Sequence, residues 1–188
     1  MAEVTQVQAP QVHPIETVPQ TTNNYRALKY LLFQTIVEFR IQRVLETGTD
    51  VGDITRILST ALQATGGKLV SVDIVPPKNA WHESWAVKNV DFVTGDATQL
   101  AWANELDLLV LDDKHEVEHL TKELDRLGVW VKKGGKIIIP GLYQKDMGDK
   151  IFQAVREWTF KHLLCWTAYP HDIGLVIIEV SHQLKRDA

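Results

Sequence analysis

Two apolar runs of this chain are each followed by acidic residues, and carboxylates in such positions can bind a nucleoside. In residues 44–53 an apolar stretch reaches Glu46, turns through Gly48 and Gly52, and leads into a helix. Glycines in such a strand-turn-helix unit let a nucleotide approach the backbone, although they also serve simply to turn the chain tightly. A second apolar run ends in Asp73, whose carboxylate is placed to accept hydrogen bonds from ribose hydroxyls.

The charge of the first turn indicates which nucleoside ligand it suits. A pyrophosphate binds to uncompensated N–H groups at a helix N-terminus, but this turn carries the carboxylates of Glu46, Asp50 and Asp53. They would repel a dinucleotide and attract a cation. S-adenosylmethionine, with its sulfonium and ammonium groups, therefore suits the turn better than NAD does. The residues predicted to contact it here are Glu46, Gly48, Thr49 and Gly52.

A third acidic segment completes the predicted pocket. Asp96 follows the apolar run 90–94, so its carboxylate could accept from the exocyclic amine of adenine, while Ile74 offers the ring an apolar surface. By itself, Asp96 with its neighbours would be a turn and a helix cap. Together with Glu46 and Asp73, the segment predicts cofactor contacts from Asp73, Ile74, Asp96 and Ala97.

Residues that could carry a reaction follow the most apolar run, 106–112. Asp112, Asp113, Lys114 and His115 stand in a row before an amphipathic helix. His115 could act as a general base near neutral pH, and Asp112 could orient it, hold a substrate hydroxyl, bind a metal or contact the cofactor. The structural alternative is a solvated helix start, with Asp113 as cap and His119 one turn after His115.

The elements that must position these residues alternate along the chain. Apolar runs predict strands near 42–47, 68–73, 90–94, 106–112, 135–139, 162–168 and 174–180, and helical spacing predicts helices near 22–39, 53–65, 81–87, 98–104, 116–131 and 147–159. This order predicts an α/β fold, a Rossmann-like doubly wound sheet of seven mostly parallel strands with helices on both faces and the last strand antiparallel. Ligands of such sheets bind at the carboxyl ends of the strands, where the acidic segments would meet.

Length, composition and charge narrow the class of protein. The 188 residues, 45% of them hydrophobic, fit a single domain over 13–188 after a flexible tail at 1–12. Cys165, the single cysteine, lies in an apolar run and is expected to be buried. The chain has no run that could span a bilayer and no signal-peptide pattern, so we expect a cytoplasmic protein without membrane association. A net charge of −4 without a basic stripe disfavours nucleic acid and favours a small-molecule partner, and a homo-oligomer stays open.

These residues together resemble the class I S-adenosylmethionine-dependent methyltransferases, and within them the cephalosporin hydroxylase / rhamnosyl O-methyltransferase family. The resemblance runs from about residue 14 to 180. Its local patterns are Pro14-Ile15 and Pro19-Gln20, the turn from Glu46 to Gly52, Val72-Asp73-Ile74 and, most specifically, the spacing of Asp112, His115, His119, Glu123 and Leu124. It implies that Glu46, Gly48, Asp73 and Asp96 hold the cofactor and that Asp112 is a metal ligand or catalytic residue.

Two departures from that family bear on the mechanism. The middle glycine of the common turn is Asp50 here. The acidic pair that the family places after the fifth strand, to complete a Mg²⁺ site, falls at Ile139, Pro140 and Gly141. Mg²⁺ takes oxygen ligands from more than one carboxylate, so no metal ligand set is predicted and Mg²⁺ is not expected, unless Asp113 or Asp146 folds over as a second ligand.

The sequence therefore predicts an S-adenosylmethionine-dependent methyltransferase that acts on a hydroxyl of a small molecule of sugar or natural-product type. His115 is the predicted base and Asp112 its orienter. A dehydrogenase would use the same sheet edge, although the acidic turn disfavours it. A catalytically degenerate methyltransferase fold, binding the cofactor as a sensor or serving as a partner subunit, is favoured by the missing carboxylate pair.

Overall fold

Strands and helices alternate along the chain as predicted. The computed structural model describes residues 26–75, 88–144, 146–170 and 173–186. Its elements are α1 (Arg26–Glu38), β1 (Arg43–Thr47), α2 (Asp53–Thr65), β2 (Lys68–Asp73), β3 (Val90–Thr94), β4 (Leu106–Leu111), α3 (Val117–Leu127), β5 (Val131–Pro140), α4 (Gly148–His162), β6 (Cys165–Tyr169) and β7 (Leu175–Glu179). Short 3₁₀ helices cover Ala97–Gln99 and Gly128–Trp130.

The seven strands form one sheet in the order β3-β2-β1-β4-β5-β7-β6. Strands β1 to β5 pair in parallel, and β7 runs antiparallel to both β5 and β6. The chain winds outward in one direction from β1 to β3 and in the other from β4, so the direction of winding reverses between β1 and β4. The predicted Rossmann-like, doubly wound, mostly parallel fold is confirmed, and its ligand position lies at this reversal.

Buried side chains cover both faces of the sheet. On β4 the residues alternate: Leu108 and Val110 pack in the core formed with α1 and α2, while Leu109 and Leu111 pack in the core formed with α3 and α4. All six residues of β4 are buried, which is why five of them are apolar. The exception, Asp107, accepts hydrogen bonds from the N–H groups of Gln42 and Arg43. Helices on both faces leave the carboxyl edge of the sheet for ligands.

The helix predicted at 98–104 is wrong. Only Ala97–Gln99 form a 3₁₀ turn, and Leu100 is already extended. The carbonyl oxygens of Gln99 and Leu100, which a longer helix would pair with later amides, accept hydrogen bonds from the guanidinium of Arg126 at 3.2 and 2.8 Å. A tertiary contact from α3 thus replaces the helical pairing that the sequence pattern predicts.

The boundary between the predicted helix 116–131 and the fifth strand also differs from the prediction. Helix α3 ends at Leu127 rather than near 131, and the 3₁₀ turn Gly128–Trp130 follows it. The indole of Trp158 packs where a side chain on Gly128 would lie. Strand β5 begins at Val131 rather than 135, and its register to β4 shifts before Lys136. Gly134, with φ of +83°, lies within the shifted stretch. The pair Gly134-Gly135, which is typical of a turn, therefore marks an irregularity inside the strand.

Two smaller expectations need correction. Asp113 does not cap α3: the N-cap is Glu116, without a side-chain cap hydrogen bond. Cys165 is exposed, because β6 is an edge strand of the sheet and its first residue faces outward. The predicted tail 1–12, residues 22–25 of the first predicted helix and the predicted helix 81–87 lie outside the described residues. Within the described ranges no helix has the length and apolar character needed to cross a membrane.

Candidate active site

Backbone hydrogen bonds that continue past the strand ends hold the acidic segments side by side. Gly95 N–H donates to the Asp73 carbonyl and Gly48 N–H to the Val72 carbonyl, both at 2.8 Å, and Asp112 N–H donates to the Thr47 carbonyl at 3.0 Å. The residues after β1, β2, β3 and β4 are therefore fixed along one edge. The predicted meeting of these segments is what the structure shows.

Gly48 lets two of these loops touch. A Cβ added there would lie 2.2 Å from the carbonyl oxygen of Asp112, and the glycine has φ of +80°. The space beside Gly48 is filled by the chain itself, so its role in the structure is close backbone approach. Gly52, with φ of +81°, stands immediately before α2 and turns the chain into it.

Asp50 stands where the family usually has a glycine. Its backbone has a left-handed conformation, which explains why glycine is usual there. Its φ is +42°, a region that aspartate tolerates better than most residues with a side chain. Its N–H donates to Asp73 Oδ2 at 2.9 Å, and the other oxygen of Asp73 accepts from Val75 N–H, also at 2.9 Å. A carboxylate has room for further donors, so Asp73 both braces the turn and retains acceptor capacity at the edge.

Glu46 is the centre of a buried polar network. Its Oε2 accepts hydrogen bonds from Ser71 Oγ at 2.6 Å and Thr55 Oγ1 at 2.7 Å. The Ser71 hydroxyl also contacts Thr49 Oγ1 at 2.7 Å; because Ser71 gives its proton to Glu46, Thr49 is the donor of that bond. The network joins the first turn to α2 and β2, and it places Thr49 in support of Glu46.

One oxygen of this carboxyl has no such support. Glu46 Oε1 is buried without a hydrogen-bond partner among the described residues. Burial raises the pKa of Glu46 to about 7, against the opposing hydrogen bonds of Ser71 and Thr55 and with a further increase from nearby Asp73. A cation beside Oε1 would complete the carboxylate's interactions. Sequence reasoning missed Ser71 and Thr55, whose only signal is a hydroxyl inside an otherwise apolar face.

Asp112 adds to the negative charge at this point. Its pKa is raised well above the ordinary range, chiefly by burial and then by the charges of Glu46, Asp50 and Asp113. Carboxylates that raise one another's pKa in this way lie in a region of negative potential. Such a region favours a positively charged ligand, in agreement with the charge argument from the sequence.

The residues predicted to contact adenine lie next along the edge. Asp96 Oδ1 accepts from the N–H and the hydroxyl of Thr98, at 2.8 and 2.7 Å, and these bonds lower the pKa of Asp96. It therefore caps the 3₁₀ turn, in which Ala97 is buried, while no described residue donates to Oδ2. Ile74 and Val75 are 65% and 60% exposed, so an apolar surface stands open beside Asp73.

His115 is buried rather than solvated, since it is only 7% exposed. Its pKa is lowered by burial, although a hydrogen bond to the Leu111 backbone and the charge of Asp113 oppose the shift. The Nε2 atom has no hydrogen-bond partner among the described residues, and the ring lies against Gly141 after β5. A neutral imidazole with a free nitrogen is competent to accept a proton.

The predicted pairing of Asp112 with His115 is not present. Within the part of the chain that the structure describes, no hydrogen bond joins the two side chains. Asp113, predicted as a cap, lies against His119, with Nε2 3.2 Å from Oδ2, and Glu123 completes this group. At the end of β5, Pro140 pairs with Leu175 of β7, and Gly141, the next residue, packs on the His115 ring.

The fold and this acidic edge define a Rossmann-like methyltransferase. A family model described as a methyltransferase domain matches residues 45–139, which is half of the chain and covers most of β1, all of β2 to β4 and most of β5. The chain belongs to this methyltransferase-domain family. The class predicted from the sequence is therefore confirmed, and no curated protein matches the chain by sequence.

Solved structures share the fold at low sequence identity. The O-methyltransferase NovP is 15% identical with a TM-score of 0.68, covering 83% of this chain and 79% of its own. An SAH-bound methyltransferase from Podospora anserina is also 15% identical, with a TM-score of 0.64 and coverage of 82% and 78%. TomG from Streptomyces achromogenes, an O-methyltransferase involved in tomaymycin synthesis and solved with SAM, is 19% identical, with a TM-score of 0.57 and coverage of 82% and 80%.

Proposed function

We propose that this protein is an S-adenosylmethionine-dependent O-methyltransferase that acts on a hydroxyl of a small molecule. The observation that carries the proposal is the buried Glu46 carboxyl with its unpartnered Oε1, set among Asp50, Asp73 and Asp112 at the carboxyl edge. A group of carboxylates around one that is buried fits a ligand that carries an ammonium and a sulfonium group. Family membership and the SAM- and SAH-bound neighbours support the same ligand.

Each of these residues would contact a different part of the cofactor. Glu46 would accept from the ammonium through Oε1, and Asp73 would accept from the ribose hydroxyls with the capacity left after its two backbone bonds. Asp96 would use Oδ2 for the adenine amine, beside Ala97, while exposed Ile74 covers one face of the ring. Gly48, Thr49 and Gly52 shape the turn that carries these contacts, and Asp112 faces the cationic part.

When bound, the cofactor supplies an electrophilic methyl group whose transfer to an acceptor oxygen leaves a neutral thioether. The chain has to align the acceptor with that methyl group, exclude water and take one proton from the acceptor hydroxyl. His115 is the proposed base, because burial keeps its imidazole neutral and its Nε2 is unpartnered. Asp112 is assigned to the cofactor or to the acceptor hydroxyl.

The acceptor would enter beside the loop after β5. Tyr143 is 55% exposed there, and its N–H donates to the Ile173 carbonyl at 2.6 Å, which fixes the loop against the start of β7. An exposed aromatic ring held on a braced loop is suited to contact a sugar or an aromatic acceptor. A net charge of −4 and an acidic edge disfavour nucleic acid as the acceptor, and a cytoplasmic setting would supply the cofactor.

Two measurements test this function. Calorimetry with S-adenosylmethionine should show one site, and Asp73→Asn should weaken binding by roughly 10- to 100-fold, while exposed Asp91→Asn on β3 serves as the control. Labelled S-adenosylmethionine with a panel of hydroxylated acceptors should then give product, equally with and without added Mg²⁺. Tight NAD binding in place of S-adenosylmethionine would favour a dehydrogenase, and cofactor binding without turnover on any acceptor would favour a degenerate, cofactor-sensing fold.

A further inference from the structure

Three potential metal ligands converge beside the loop that follows β4. Asp113 lies in that loop, and His119 and Glu123 lie one turn apart on α3. His119 Nε2 is 3.2 Å from Asp113 Oδ2 and 3.8 Å from Glu123 Oε2. One ligand atom from each of the three residues lies within 4.8 Å of the others.

The burial of Glu123 is not what an ordinary surface ion pair would require. It is 1% exposed, its Oε2 faces His119, and its Oε1 has no hydrogen-bond partner among the described residues. The nearby Thr47 hydroxyl is buried too and makes no well-aligned hydrogen bond. A buried carboxyl oxygen with no well-aligned donor is costly, and a bound cation is one way in which a protein compensates for it.

The charges around the three residues also favour a cation. Asp113 and Asp96 add negative charge beside the buried Glu123 carboxyl. Lys122 is the positive group that faces Asp96, but its Nζ lies 2.7 Å from Glu118 on the exposed side of α3. Within the group, the imidazole of His119 faces the two carboxylates of Asp113 and Glu123.

We propose that Asp113, His119 and Glu123 bind one divalent transition-metal cation, with Zn²⁺ as the best match. Zinc bonds of ~2.0–2.2 Å to nitrogen and oxygen place tetrahedral ligand atoms ~3.4 Å apart, and the separations of 3.2 and 3.8 Å bracket that value. An imidazole beside two carboxylates favours zinc over Mg²⁺, which prefers an octahedron of oxygens.

Such a cation would tie the loop after β4 to α3. That loop carries Asp112 and His115, so the metal would hold both at the edge of the sheet whatever reaction they serve. The inference does not rest on the proposed methyl transfer, because binding of the metal is measured on the free protein.

The test is a calorimetric titration of the chelator-treated, tag-free chain with Zn²⁺. We expect one saturable site and markedly weaker binding of Mg²⁺. Glu123→Gln removes one ligand and keeps the shape of the neutral carboxyl. His119→Asn removes another ligand at a residue that is 22% exposed, and the new side chain is no larger than the old one. Each should lower Zn²⁺ affinity by at least about 10- to 100-fold and abolish the rise in melting temperature that Zn²⁺ gives the unaltered chain.

Asp125→Asn is the matched control. Asp125 is a carboxylate on the same helix that pairs with Lys161 at the surface, so this variant should keep the affinity of the unaltered chain. Circular dichroism identifies any variant that fails to fold. If one ligand variant fails to fold, the Zn²⁺ affinity of the other tests the proposal. Absence of saturable Zn²⁺ binding, unchanged affinity in a folded ligand variant, or tighter binding of Mg²⁺ than of Zn²⁺ would overturn the proposal; the first result would mean that His119 acts only as an ion-pair partner.

Discussion

Gly48 and Asp112 meet backbone to backbone: a Cβ on Gly48 would lie 2.2 Å from the Asp112 carbonyl oxygen. The turn after β1 and the loop after β4 are thus packed too closely for any side chain at Gly48. We predict that Gly48→Ala destabilises the protein by at least about 3 kcal/mol, because a left-handed φ and a backbone clash act together. Urea unfolding measures this loss.

Gly134→Ala separates the two contributions. Gly134 has φ of +83°, but nothing lies within 4 Å of its added Cβ, so only the conformational cost of roughly 1–2 kcal/mol applies. An equal loss for the two variants would mean that the loops move apart easily and that the contact between Gly48 and Asp112 does not fix the site.

Glu46 should release a proton when the cofactor binds. Burial holds its pKa at about 7 in the free protein, so near neutral pH about half of the molecules carry the proton. An ammonium beside Oε1 favours the ionised form, so affinity should increase as the pH rises from about 6 to 8. Calorimetry in two buffers that differ in ionisation enthalpy measures the released protons.

The Glu46→Gln variant is the control for this linkage. It is expected to bind the cofactor more weakly and to lose the pH dependence that belongs to this carboxyl. Proton uptake in the unaltered protein would contradict the placement of the ammonium at Glu46.

The raised pKa of Glu46 also predicts how the stability of the protein depends on pH. Burial raises the pKa of Glu46 from 4.5 to about 7 in the fold, so the folded state binds its proton more strongly than the unfolded chain does. The resulting stabilisation is fully present below about pH 4.5 and is lost as the pH rises through about 7. Relative to Glu46→Gln, the unaltered protein should lose on the order of 3 kcal/mol across that window. A difference that stays flat in urea unfolding from pH 4 to 8 would show that the carboxyl is less enclosed than the structure indicates.

The backbone order of this fold can be predicted from the sequence, because continuous apolar runs such as β4 and the helical period of α2 depend on local pattern alone. The positions of Glu46, Asp73, Asp96 and Asp112 at one edge follow from that order, since parallel strands end on the same side. The contacts of Arg126 with Gln99 and Leu100, which replace a predicted helix, depend on residues that are distant in sequence. For the same reason, spacing could not show that Asp113 faces His119 instead of capping α3.

Asp50 offers a test of the charge argument. Asp50→Asn keeps a residue that tolerates φ of +42° and removes one carboxylate from the group around Asp112. We predict that cofactor affinity falls by roughly two- to fivefold, the range of a partly screened charge contact, with a weaker dependence on salt. Asp91→Asn, on exposed β3, should leave affinity unchanged. Tighter cofactor binding by Asp50→Asn would show that the ligand is not a cation.

His115 should be needed for turnover and not for cofactor binding. Its buried imidazole lies against Gly141, and its Nε2 has no partner among the described residues, so it is placed to take the proton of an acceptor hydroxyl. His115→Asn removes that base, and the loss of a positioned base lowers the rate by about 10²–10⁴-fold. We therefore expect kcat to fall by about two orders of magnitude or more, while cofactor affinity, which depends on other strand ends, stays within a few-fold.

The controls for His115 separate chemistry from folding. His182→Asn changes an exposed histidine far along the chain and should leave kcat unaltered, and urea unfolding of both variants shows whether the fold is intact. If His115→Asn loses stability and cofactor affinity as much as it loses rate, the residue is a packing element between β4 and Gly141. If turnover is unimpaired, the proton must leave by way of Asp112 or directly to solvent. A loss confined to kcat, in a folded variant that still binds the cofactor, would identify His115 as the base.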